Sequence, residues 1–479
     1  FVSSEAVPFA KTGGLADVSG ALPGALNKLG MEAVLFMPYH RDVDSSGAEV
    51  EPTGLSVEIP IGTRSVTGEI FTSMIDGLRV YFLKSDLFFD RPFLYGPAKG
   101  EYFDNFERFM FFSRGVLVAL KAIGFKPDII HCNDWQTGLI PAYLKDIYKS
   151  DKFFKKTATL LTIHNLAYQG VFDASRFKET GLSEELNSVD GLEFWGSLSF
   201  LKAGINFADI ITTVSLTYCK EIQTKEYGCG LEGVLKKRKK ILHGVLNGVD
   251  YSLWNPETDP YIPANYSTDN PKCKVICKRE LIDRFALDLP PGTPVIGMVS
   301  RLTPQKGFDL IKEAAKLIMK LDMALVVLGT GDKVYEDFLR GLKRANPKRV
   351  GVEVAYKDEL AHLIEAGSDI FLMPSYYEPC GLNQIYSLRY GTVPVVRATG
   401  GLNDTIKDYC KGKGNGFKFK KYSSKALLKK LKEALALYKD KEAWSKLTRK
   451  IMKEDFSWEL SAKEYGKLYR QVLKNLPKD

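Results

Sequence analysis

The sequence lacks any apolar run long enough to cross a membrane. The longest candidate, residues 106–125, is interrupted by Arg108, Arg114 and Lys121, so it predicts an amphipathic helix that faces a core. A secretory signal peptide is also lacking. Because the chain opens at Phe1 without an initiator methionine, we expect a few residues or a leader to be missing before it. We predict no membrane partner and a cytoplasmic location, with a plastid stroma as the alternative.

A cysteine pattern is the second feature that the sequence lacks. Its seven cysteines are scattered, and Cys273 and Cys277 are the pair best spaced to begin a zinc site. No second pair of Cys or His supplies the remaining ligands that a tetrahedral site requires. The set therefore predicts reduced thiols and no structural metal.

The chain also lacks a stripe of aromatic residues interleaved with arginine, although its formal net charge is +9. Much of the positive excess falls in residues 418–432 and 446–453. Leucines recur at helical spacing in the first of these segments, which indicates a helix with a solvated basic face. We therefore predict no nucleic-acid partner.

Short apolar runs alternate with longer amphipathic stretches along the whole chain. The runs are residues 33–38, 78–83, 128–132, 157–163, 210–214, 244–246, 295–300, 324–329, 350–356, 370–373 and 393–396. Continuous hydrophobicity is typical of strands that are buried on both faces, as in parallel sheets covered by helices. The chain of 479 residues is too long for one ordinary core. The pattern predicts an α/β protein with two Rossmann-like, doubly wound domains.

Composition also suggests where these domains separate. Residues 255–294 are rich in Pro, Asp, Asn and Thr, which is typical of loops and linkers. A last amphipathic segment, residues 457–473, begins with a serine suited to cap a helix. Its apolar residues are Leu460, Tyr465, Leu468 and Leu473.

One short motif occurs twice. Residues 12–17 (TGGLAD) recur as residues 399–404 (TGGLND), and each copy lies between a predicted strand and a predicted helix. Paired glycines permit positive φ and let a ligand approach bare backbone, while amides at a helix start bind anions. In open α/β sheets, ligands bind beyond the carboxyl ends of the strands. The repeat predicts one ligand-filled cleft that is lined by both turns.

Two cations follow the run at 295–300. Arg301 offers a planar fork of donors for phosphate, and Lys306 adds a compact charge. At about 4 Å and an effective dielectric near 20, each is worth roughly 4 kcal/mol gross against a phosphate charge. Together they predict a site for a phosphate leaving group that needs no metal.

Polar residues also follow other predicted strands. Glu378 comes soon after the run at 370–373, and Pro379 restricts it to extended backbone. His164 follows the run at 157–163, and Asp134 follows an earlier one. Because the carboxyl ends of parallel strands share one edge of a sheet, these side chains could converge.

Three other patterns suggest different chemistry. Residues 228–233 match the dinucleotide motif G-x-G-x-x-G, but a predicted helix precedes them where a strand is required. Asp42 and Asp44 resemble a metal-binding pair, but nothing nearby completes an octahedral site, so we predict a solvated turn. Asp134 and Glu378 could also be the carboxylate pair of a glycosidase, and this alternative stays open.

Taken together, the motifs have a familiar order along essentially the whole chain. They are residues 11–18 (KTGGLADV), 90–92 (DRP), 131–135 (HCNDW), 162–170 (TIHNLAYQG), 200–204 (FLKAG), 246–250 (LNGVD), 301–307 (RLTPQKG), 378–382 (EPCGL), 399–402 (TGGL) and 456–458 (FSW). This series resembles the bacterial glycogen synthases and plant starch synthases, glycosyltransferase family 5. The resemblance implies a GT-B fold, in which two Rossmann-like domains face each other across a cleft.

The same resemblance implies domain bounds and an activity. Residues 1–250 would form the acceptor-side domain, 251–455 the donor-side domain, and 456–479 a helix that crosses back to the first domain. The implied reaction transfers glucose from ADP-glucose, with retention of configuration and no metal, to the non-reducing 4-hydroxyl of an α-1,4-glucan. A catalytically silent glucan-binding protein and a glycoside hydrolase remain as alternatives.

Site residues are carried over by motif. The implied catalytic residues are Lys11, His164, Arg301, Lys306 and Glu378. The implied donor-binding residues are Gly13, Gly14, Asn247, Tyr356, Cys380, Gly381, Leu382, Asn383 and Thr399. The implied acceptor or sugar-lining residues are Asp17, Tyr95 and Asp134, and no metal ligand is expected. Asn383 stands where a threonine or an aliphatic residue is usual, so the choice between ADP-glucose and UDP-glucose stays open.

Overall fold

The computed structural model describes residues 1–97 and 100–475. They fall into two compact units. The first unit comprises Phe1–Gly248 together with the segment from Trp458 onward, and the second comprises Val249–Ser457. The chain thus leaves the first unit after residue 248 and returns to it at residue 458. The last four residues of the terminal segment predicted at 456–479 lie outside the described residues.

The first unit is built from the following elements. Its strands are β1 (Val34–Pro38), β2 (Glu51–Ile61), β3 (Arg64–Ile75), β4 (Leu78–Lys84), β5 (Ile129–Asn133), β6 (Ala158–Ile163), β7 (Val171–Asp173), β8 (Glu193–Phe194), β9 (Ser197–Ser199), β10 (Ile210–Thr213) and β11 (Leu242–Gly244). Its helices before residue 249 are α1 (Gly14–Lys28), α2 (Asp86–Phe89), α3 (Asn105–Ala122), α4 (Leu139–Lys145), α5 (Phe200–Phe207), α6 (Leu216–Glu221) and α7 (Glu232–Lys237). The run predicted at 244–246 is therefore two residues too late.

The opening residues form the centre of the first sheet. One set of strands has the order β1-β4-β3-β2 and another the order β11-β10-β6-β5. Val2 bridges in parallel to Phe36 of β1 and to Cys132 of β5 and so joins the two sets. The segment that follows Val2 therefore emerges at the middle of the sheet, where open α/β folds bind ligands.

Part of this sheet is antiparallel, which the sequence analysis did not predict. Strand β3 pairs antiparallel with both β2 and β4. Along β2 only alternate residues near its end are buried, namely Val57, Ile59 and Ile61. Such alternation is typical of a sheet with one solvated face, and a search for continuous apolar runs does not detect it. The amphipathic helix predicted at 106–125 is confirmed as α3, which packs on β2.

The second unit has one sheet of six parallel strands. Its strands are β12 (Val295–Val299), β13 (Ala324–Leu328), β14 (Val350–Glu353), β15 (Ile370–Met373), β16 (Val393–Arg397) and β17 (Phe417–Phe419). Its helices are α8 (Lys274–Arg284), α9 (Phe308–Ile318), α10 (Lys333–Ala345), α11 (Asp358–Gly367), α12 (Asn383–Arg389), α13 (Gly400–Thr405), α14 (Ser424–Lys439) and α15 (Lys441–Ile451). The order β14-β13-β12-β15-β16-β17 is that of a Rossmann sheet. The prediction of a doubly wound domain is confirmed here.

The linker predicted at 255–294 is wrong. This stretch belongs to the second unit and contains α8. Helix α8 buries Leu281 against Leu363 and Ile364 of α11. Prolines and polar residues are typical of segments without regular secondary structure. Here such segments belong to the second unit and do not form a linker between the two units.

The terminal helix α16 (Trp458–Lys474) belongs to the first unit and packs on α1. Trp458, Ala462 and Tyr465 are buried beside Leu22 of α1. Of the apolar residues that the sequence places in this segment, Leu460 and Leu473 are 45% and 37% exposed. The buried stripe is offset by a few residues from the one that the leucines suggest.

Within the described part of the chain, no helix combines the length and the apolar character needed to span a bilayer.

Candidate functional site

The first glycine turn connects the central opening segment of the first unit to α1. Gly13 has φ −161°, an ordinary extended conformation, and α1 begins at Gly14. The positive φ expected from the sequence is therefore not found at Gly13. A Cβ built on Gly13 would have no atom within 4 Å, so its backbone borders open space. The amides of the first turn of α1 have no acceptor within the helix, which suits an anionic or polar ligand.

The buried carboxylate of Glu5 is hydrogen bonded to this turn. Glu5 Oε2 accepts hydrogen bonds from the backbone N–H of Thr12 at 2.5 Å and from its hydroxyl at 2.8 Å. Burial raises the pKa of Glu5 to about 7, although the two bonds from Thr12 oppose that shift. The sequence analysis missed Glu5. The available signal was a single charged residue among residues 1–10, in the segment that leads into a glycine turn.

Lys11 and Asp17 lie on either side of the turn. Lys11 Nζ donates to Asp17 Oδ1 at 2.8 Å, and both side chains are partly exposed. The acid belongs to the first turn of α1, where the helix dipole favours negative charge. The structure thus brings Lys11, Gly13, Gly14 and Asp17 together at one position.

Tyr95 reaches the same region from a loop. Its hydroxyl forms a 2.7 Å hydrogen bond with Ser4 Oγ, next to Glu5 in the chain. Burial raises the pKa of Tyr95 well above its usual value, and the negative charges of Glu5 and Asp134 act in the same direction. Tyr95 is therefore a neutral phenol close to both carboxylates.

Asp134 and His164 follow neighbouring strands, β5 and β6. Asp134, which has φ 53°, accepts a hydrogen bond from the backbone N–H of His164 at 2.7 Å. Burial raises the pKa of Asp134 to about 7 and lowers that of His164 to about 3. The imidazole, 2.9 Å from Asn133 Oδ1, is therefore neutral at physiological pH. Asp134 fixes the backbone that carries His164.

In the second unit, the predicted cation Lys306 and the predicted carboxylate Glu378 meet at the point where the strand order reverses. Lys306 follows β12 and Glu378 follows β15, and these strands are neighbours. Lys306 Nζ lies 2.7 Å from Glu378 Oε2, which also accepts from Ser375 Oγ at 3.0 Å. The side chains of Lys306 and Glu378 are only 18% and 7% exposed. An ion pair so well shielded from water holds both side chains in one geometry.

Arg301 stands at the start of the same connection. Its guanidinium donates to Gln305 Oε1 at 3.4 Å, and Gln305 Nε2 donates to the carbonyl of Tyr377 at 3.3 Å. The backbone at Gly307 approaches closely, since a Cβ there would lie 2.2 Å from the carbonyl oxygen of Pro374. The connections after β12 and β15 are thus fastened together by side chains and by backbone.

The predicted donor-binding residues after Glu378 form a tight turn into α12. Their members are Cys380, Gly381, Leu382 and Asn383, and α12 begins at Asn383. Cys380 is buried, and Gln384 Nε2 donates to the carbonyl of Gly381 at 2.8 Å. Asn383 Nδ2 donates to the carbonyl of Val299 at 3.2 Å, which ties α12 to the end of β12. The departure from the usual residue at 383 therefore contributes a structural hydrogen bond.

The second glycine turn packs against this loop. Gly400 has φ 41°, and a Cβ there would lie 1.9 Å from the carbonyl oxygen of Glu378. A Cβ on Gly401 would lie 2.0 Å from the carbonyl oxygen of Cys380, and Gly401 N–H donates to Glu378 at 3.2 Å. The chain's own packing therefore requires glycine at this turn, and contact of its backbone with a ligand stays a prediction. Thr399, fully buried, precedes these glycines.

Two further predicted donor-binding residues are Asn247 in the first unit and Tyr356 in the second. Asn247 is buried near the end of the first unit, and its Oδ1 has no hydrogen-bond partner among the described residues. Strand β14 ends at Glu353, three residues before the predicted end of the strand at residue 356. Tyr356 therefore lies beyond the strand, and it is 70% exposed.

The alternative motifs do not form sites of their own. Asp44 accepts a hydrogen bond from the Tyr39 hydroxyl at 2.7 Å in a short 3-10 helix. Across residues 1–97 and 100–475, no group of three or more His, Cys, Asp or Glu side chains is placed to hold a metal ion. The glycine motif at 228–233 lies between α6 and α7, without the preceding strand that dinucleotide binding requires.

Two family models and several curated relatives match most of this chain. Residues 1–237 match the family described as starch synthase catalytic domain, and residues 280–451 match glycosyl transferases group 1. The chain is 47% identical to the glycogen synthase of Syntrophotalea carbinolica, covering 98% of each chain. It is 48% identical to the glycogen synthase of Koribacter versatilis, covering 98% of this chain and 97% of the relative.

Solved structures extend the comparison to the fold. The catalytic domain of starch synthase IV from Arabidopsis thaliana, bound to ADP and acarbose, superposes with a TM-score of 0.92 at 34% identity. That match covers 99% of this chain and 98% of the other. Sucrose-phosphate synthase from Thermosynechococcus elongatus matches with a TM-score of 0.61 at 19% identity, over 99% and 98% of the two chains, and shows the fold alone. The predicted GT-B fold is confirmed.

Proposed function

Since this chain belongs to the glycogen synthase and starch synthase family of glycosyltransferases, we propose that it takes glucose from ADP-glucose and adds it to the non-reducing 4-hydroxyl of an α-1,4-glucan. Glucosyl transfer for glycogen or starch synthesis is the activity of this family. ADP as the released nucleotide is supported by the Arabidopsis starch synthase, whose structure holds ADP and acarbose.

One observation carries the proposal for the donor: the ion pair of Lys306 with Glu378 at the switch point of the second sheet. The amine lies where a phosphorylated ligand binds in an open α/β sheet, and Arg301 begins the same connection. Two cations held in advance stabilise negative charge as a diphosphate departs. Glu378 holds Lys306 in place and orients the sugar beside it.

For the chemical step we propose retention through attack on the same face. The bond from the sugar C1 to the phosphate oxygen breaks, the acceptor O4 bonds to C1, and the phosphate oxygen accepts the proton of O4. Neutral His164 cannot add a positive charge to this centre, so the support from the first unit is polar. Asp134 keeps the backbone of His164 in position through the 2.7 Å hydrogen bond.

We also propose that the reaction needs no metal, because Arg301 and Lys306 provide the positive charge that a metal provides elsewhere. Activity should persist in excess EDTA. Loss of activity that manganese restores would contradict this and would return attention to Asp42 and Asp44. A cytoplasmic location stays a prediction, supported by the bacterial origin of the glycogen synthases to which the chain is similar.

The deciding experiment measures transfer of labelled glucose from ADP-glucose and from UDP-glucose to a maltooligosaccharide primer. We expect ADP-glucose to be preferred and the new bond to be α-1,4. Arg301→Ala and Lys306→Ala should each lower kcat by roughly 10²–10³, as the loss of one preorganised donor does. Lys312→Ala, at an exposed lysine of α9, is the matched control and should be unaffected.

Two other outcomes would point to the remaining alternatives. A glucan-binding protein without catalysis would bind the primer but release no ADP from ADP-glucose. A glycoside hydrolase would release reducing sugar from glucan with no nucleotide present. Near-normal synthesis by either the Arg301 or the Lys306 variant would remove the phosphate assignment.

A further inference from the structure

The β8–β9 hairpin of the first unit carries an unusual residue at its tip. Trp195 and Gly196, between the two strands, have φ 52° and 79°. Hairpin turns with two left-handed residues favour Asn-Gly, because a large side chain is strained there. Tryptophan therefore occupies a position that the turn itself disfavours.

The side chain of Trp195 is also largely exposed to solvent. Trp195 is 83% exposed, so the strain is not compensated by burial of its ring in this chain. An exposed apolar ring held in a strained turn calls for an explanation outside the turn. Strained residues that persist in a rigid surrounding are concentrated at sites that contact ligands.

The surrounding is rigid. Gly196 N–H donates to Glu193 Oε1 at 2.8 Å across the turn. The amine of Lys202, a buried residue of α5, donates to the carbonyl of Glu193. These two hydrogen bonds to Glu193 hold the hairpin and its turn in one conformation.

The glycine motif that had no role in dinucleotide binding supports this hairpin. A Cβ on Gly230 would lie 3.2 Å from Trp195 Nε1 and 3.1 Å from Phe194 Cζ. The bare backbone of the turn thus lies against the edge of both rings. Gln169 Nε2 holds the turn by donating to the carbonyl of Cys229 at 2.9 Å.

One carboxylate belongs to the same turn as the ring. Glu193 lies two residues before Trp195, and its Oε1 accepts the hydrogen bond from Gly196 N–H. A flat apolar ring beside a polar group suits a sugar, which has an apolar C–H face and hydroxyl edges. A protein partner would require about 800 Å² of complementary surface on each side, far more than one ring offers.

We propose that Trp195 is a contact for an α-glucan chain, separate from the reacting residues of the first unit. The choice of a glucan rests on the proposed function, whose acceptor is a polymer. A polymer held at a second point presents its ends to the enzyme at a raised effective concentration. The ring stacks on a glucose unit, and Glu193 in the same turn accepts a hydrogen bond from one of its hydroxyl groups.

The experiment compares Trp195→Ala and Trp195→Phe with Leu216→Ala, a control at a residue of the same unit that is 61% exposed. Glycogen affinity is measured without donor by electrophoresis in glycogen-containing gels. Trp195→Ala should weaken it by about 3- to 10-fold, the range of one aromatic contact. In transfer assays the KM for glycogen should rise by a similar factor. The kcat and the KM for ADP-glucose should stay unchanged, and the Phe variant should keep part of the affinity.

Several results would overturn the proposal. Unchanged glycogen affinity in a Trp195→Ala protein that melts like the wild type would do so. A change of oligomeric mass without a change in glycogen affinity would assign the ring to an interface between copies of this chain. If the wild type transferred no glucose from ADP-glucose but bound glycogen through Trp195, the proposed function would fail while this inference stood.

Discussion

The two Thr-Gly-Gly-Leu turns share their letters but not their surroundings. At the first, a Cβ on Gly13 would meet nothing within 4 Å. At the second, a Cβ on Gly400 would lie 1.9 Å from the carbonyl oxygen of Glu378. Glycine is needed at the first turn only if something outside the chain approaches it, whereas the chain itself requires glycine at the second.

The two turns also differ in the residue that precedes them and in the length of the helix that follows. Lys11 precedes the first turn and Ala398 the second. The first turn starts a helix of 15 residues, and the second starts one of 6. A long helix with a cation beside its start suits a polar or anionic ligand, while the short one serves to support the loop of Glu378. A shared motif therefore indicates a shared backbone turn, here in two different surroundings.

The largest effect is expected from Gly400→Ala. The methyl group would collide with backbone at Glu378, which cannot rotate away, so the loop must move. A displacement of about 1 Å at reacting groups costs around 10²-fold in rate, and we expect kcat to fall by at least that much. The thermal midpoint should fall as well. Steady-state kinetics with thermal melting test this, and a variant that melts and reacts like the wild type would contradict the packing account.

Gly13→Ala is the matched variant at the first turn. The structure has room for the methyl group, so we expect the thermal midpoint to change by about 2 °C or less. Activity should fall roughly tenfold, equivalent to losing about 1.4 kcal/mol of ligand contact. If this variant instead unfolded while keeping its activity per folded molecule, the contrast between the turns would disappear.

Thr12→Val probes the hydrogen bonds between Thr12 and Glu5 at the first turn. It removes the 2.8 Å hydrogen bond from the hydroxyl to Glu5 but keeps the side-chain volume. We expect a loss of about 3- to 5-fold in kcat/KM, in line with about 1 kcal/mol for one hydrogen bond. Thr12→Ser should restore most of it. Equal activity of the Val and Ser variants would show that the hydroxyl has no positioning role.

The smallest effect concerns pH. Burial raises the pKa of Glu5 to about 7, so the folded chain favours the protonated acid. Its contribution to stability is complete below about pH 4.5 and is lost as pH rises through about 7. The melting temperature of Glu5→Gln minus that of the wild type should therefore be more positive at pH 8 than at pH 5. A melting difference that is constant over this range would refute the raised pKa.

Much of the fold follows from local sequence patterns. Most buried strands of both units were predicted within about two residues, since continuous apolar runs are typical of parallel sheets. The run predicted at 350–356 ends three residues beyond β14, and β17 was not predicted. The β2–β3 hairpin was missed because its alternation of buried and exposed residues is a different signal. In α16 the apolar residues Leu460 and Leu473 are exposed, because helix packing on α1 selects a stripe centred on Trp458, Ala462 and Tyr465.

For the site, the sequence identified residue types and strand ends but not their partners. Glu5 escaped attention because its role depends on Thr12, whose backbone reaches it only through the fold of the turn. The roles of Lys11, His164, Arg301, Lys306 and Glu378 remain predictions that the variants above test.

By itself, the sequence determined the class of fold, the family and the placement of polar residues at the ends of buried strands. These properties depend on hydrophobic period and on motif order, which are local. Only the tertiary structure decided that Lys306 meets Glu378, because that contact spans 72 residues and depends on β12 lying beside β15. It alone also decided which glycine pair borders open space, since that depends on atoms from distant parts of the chain.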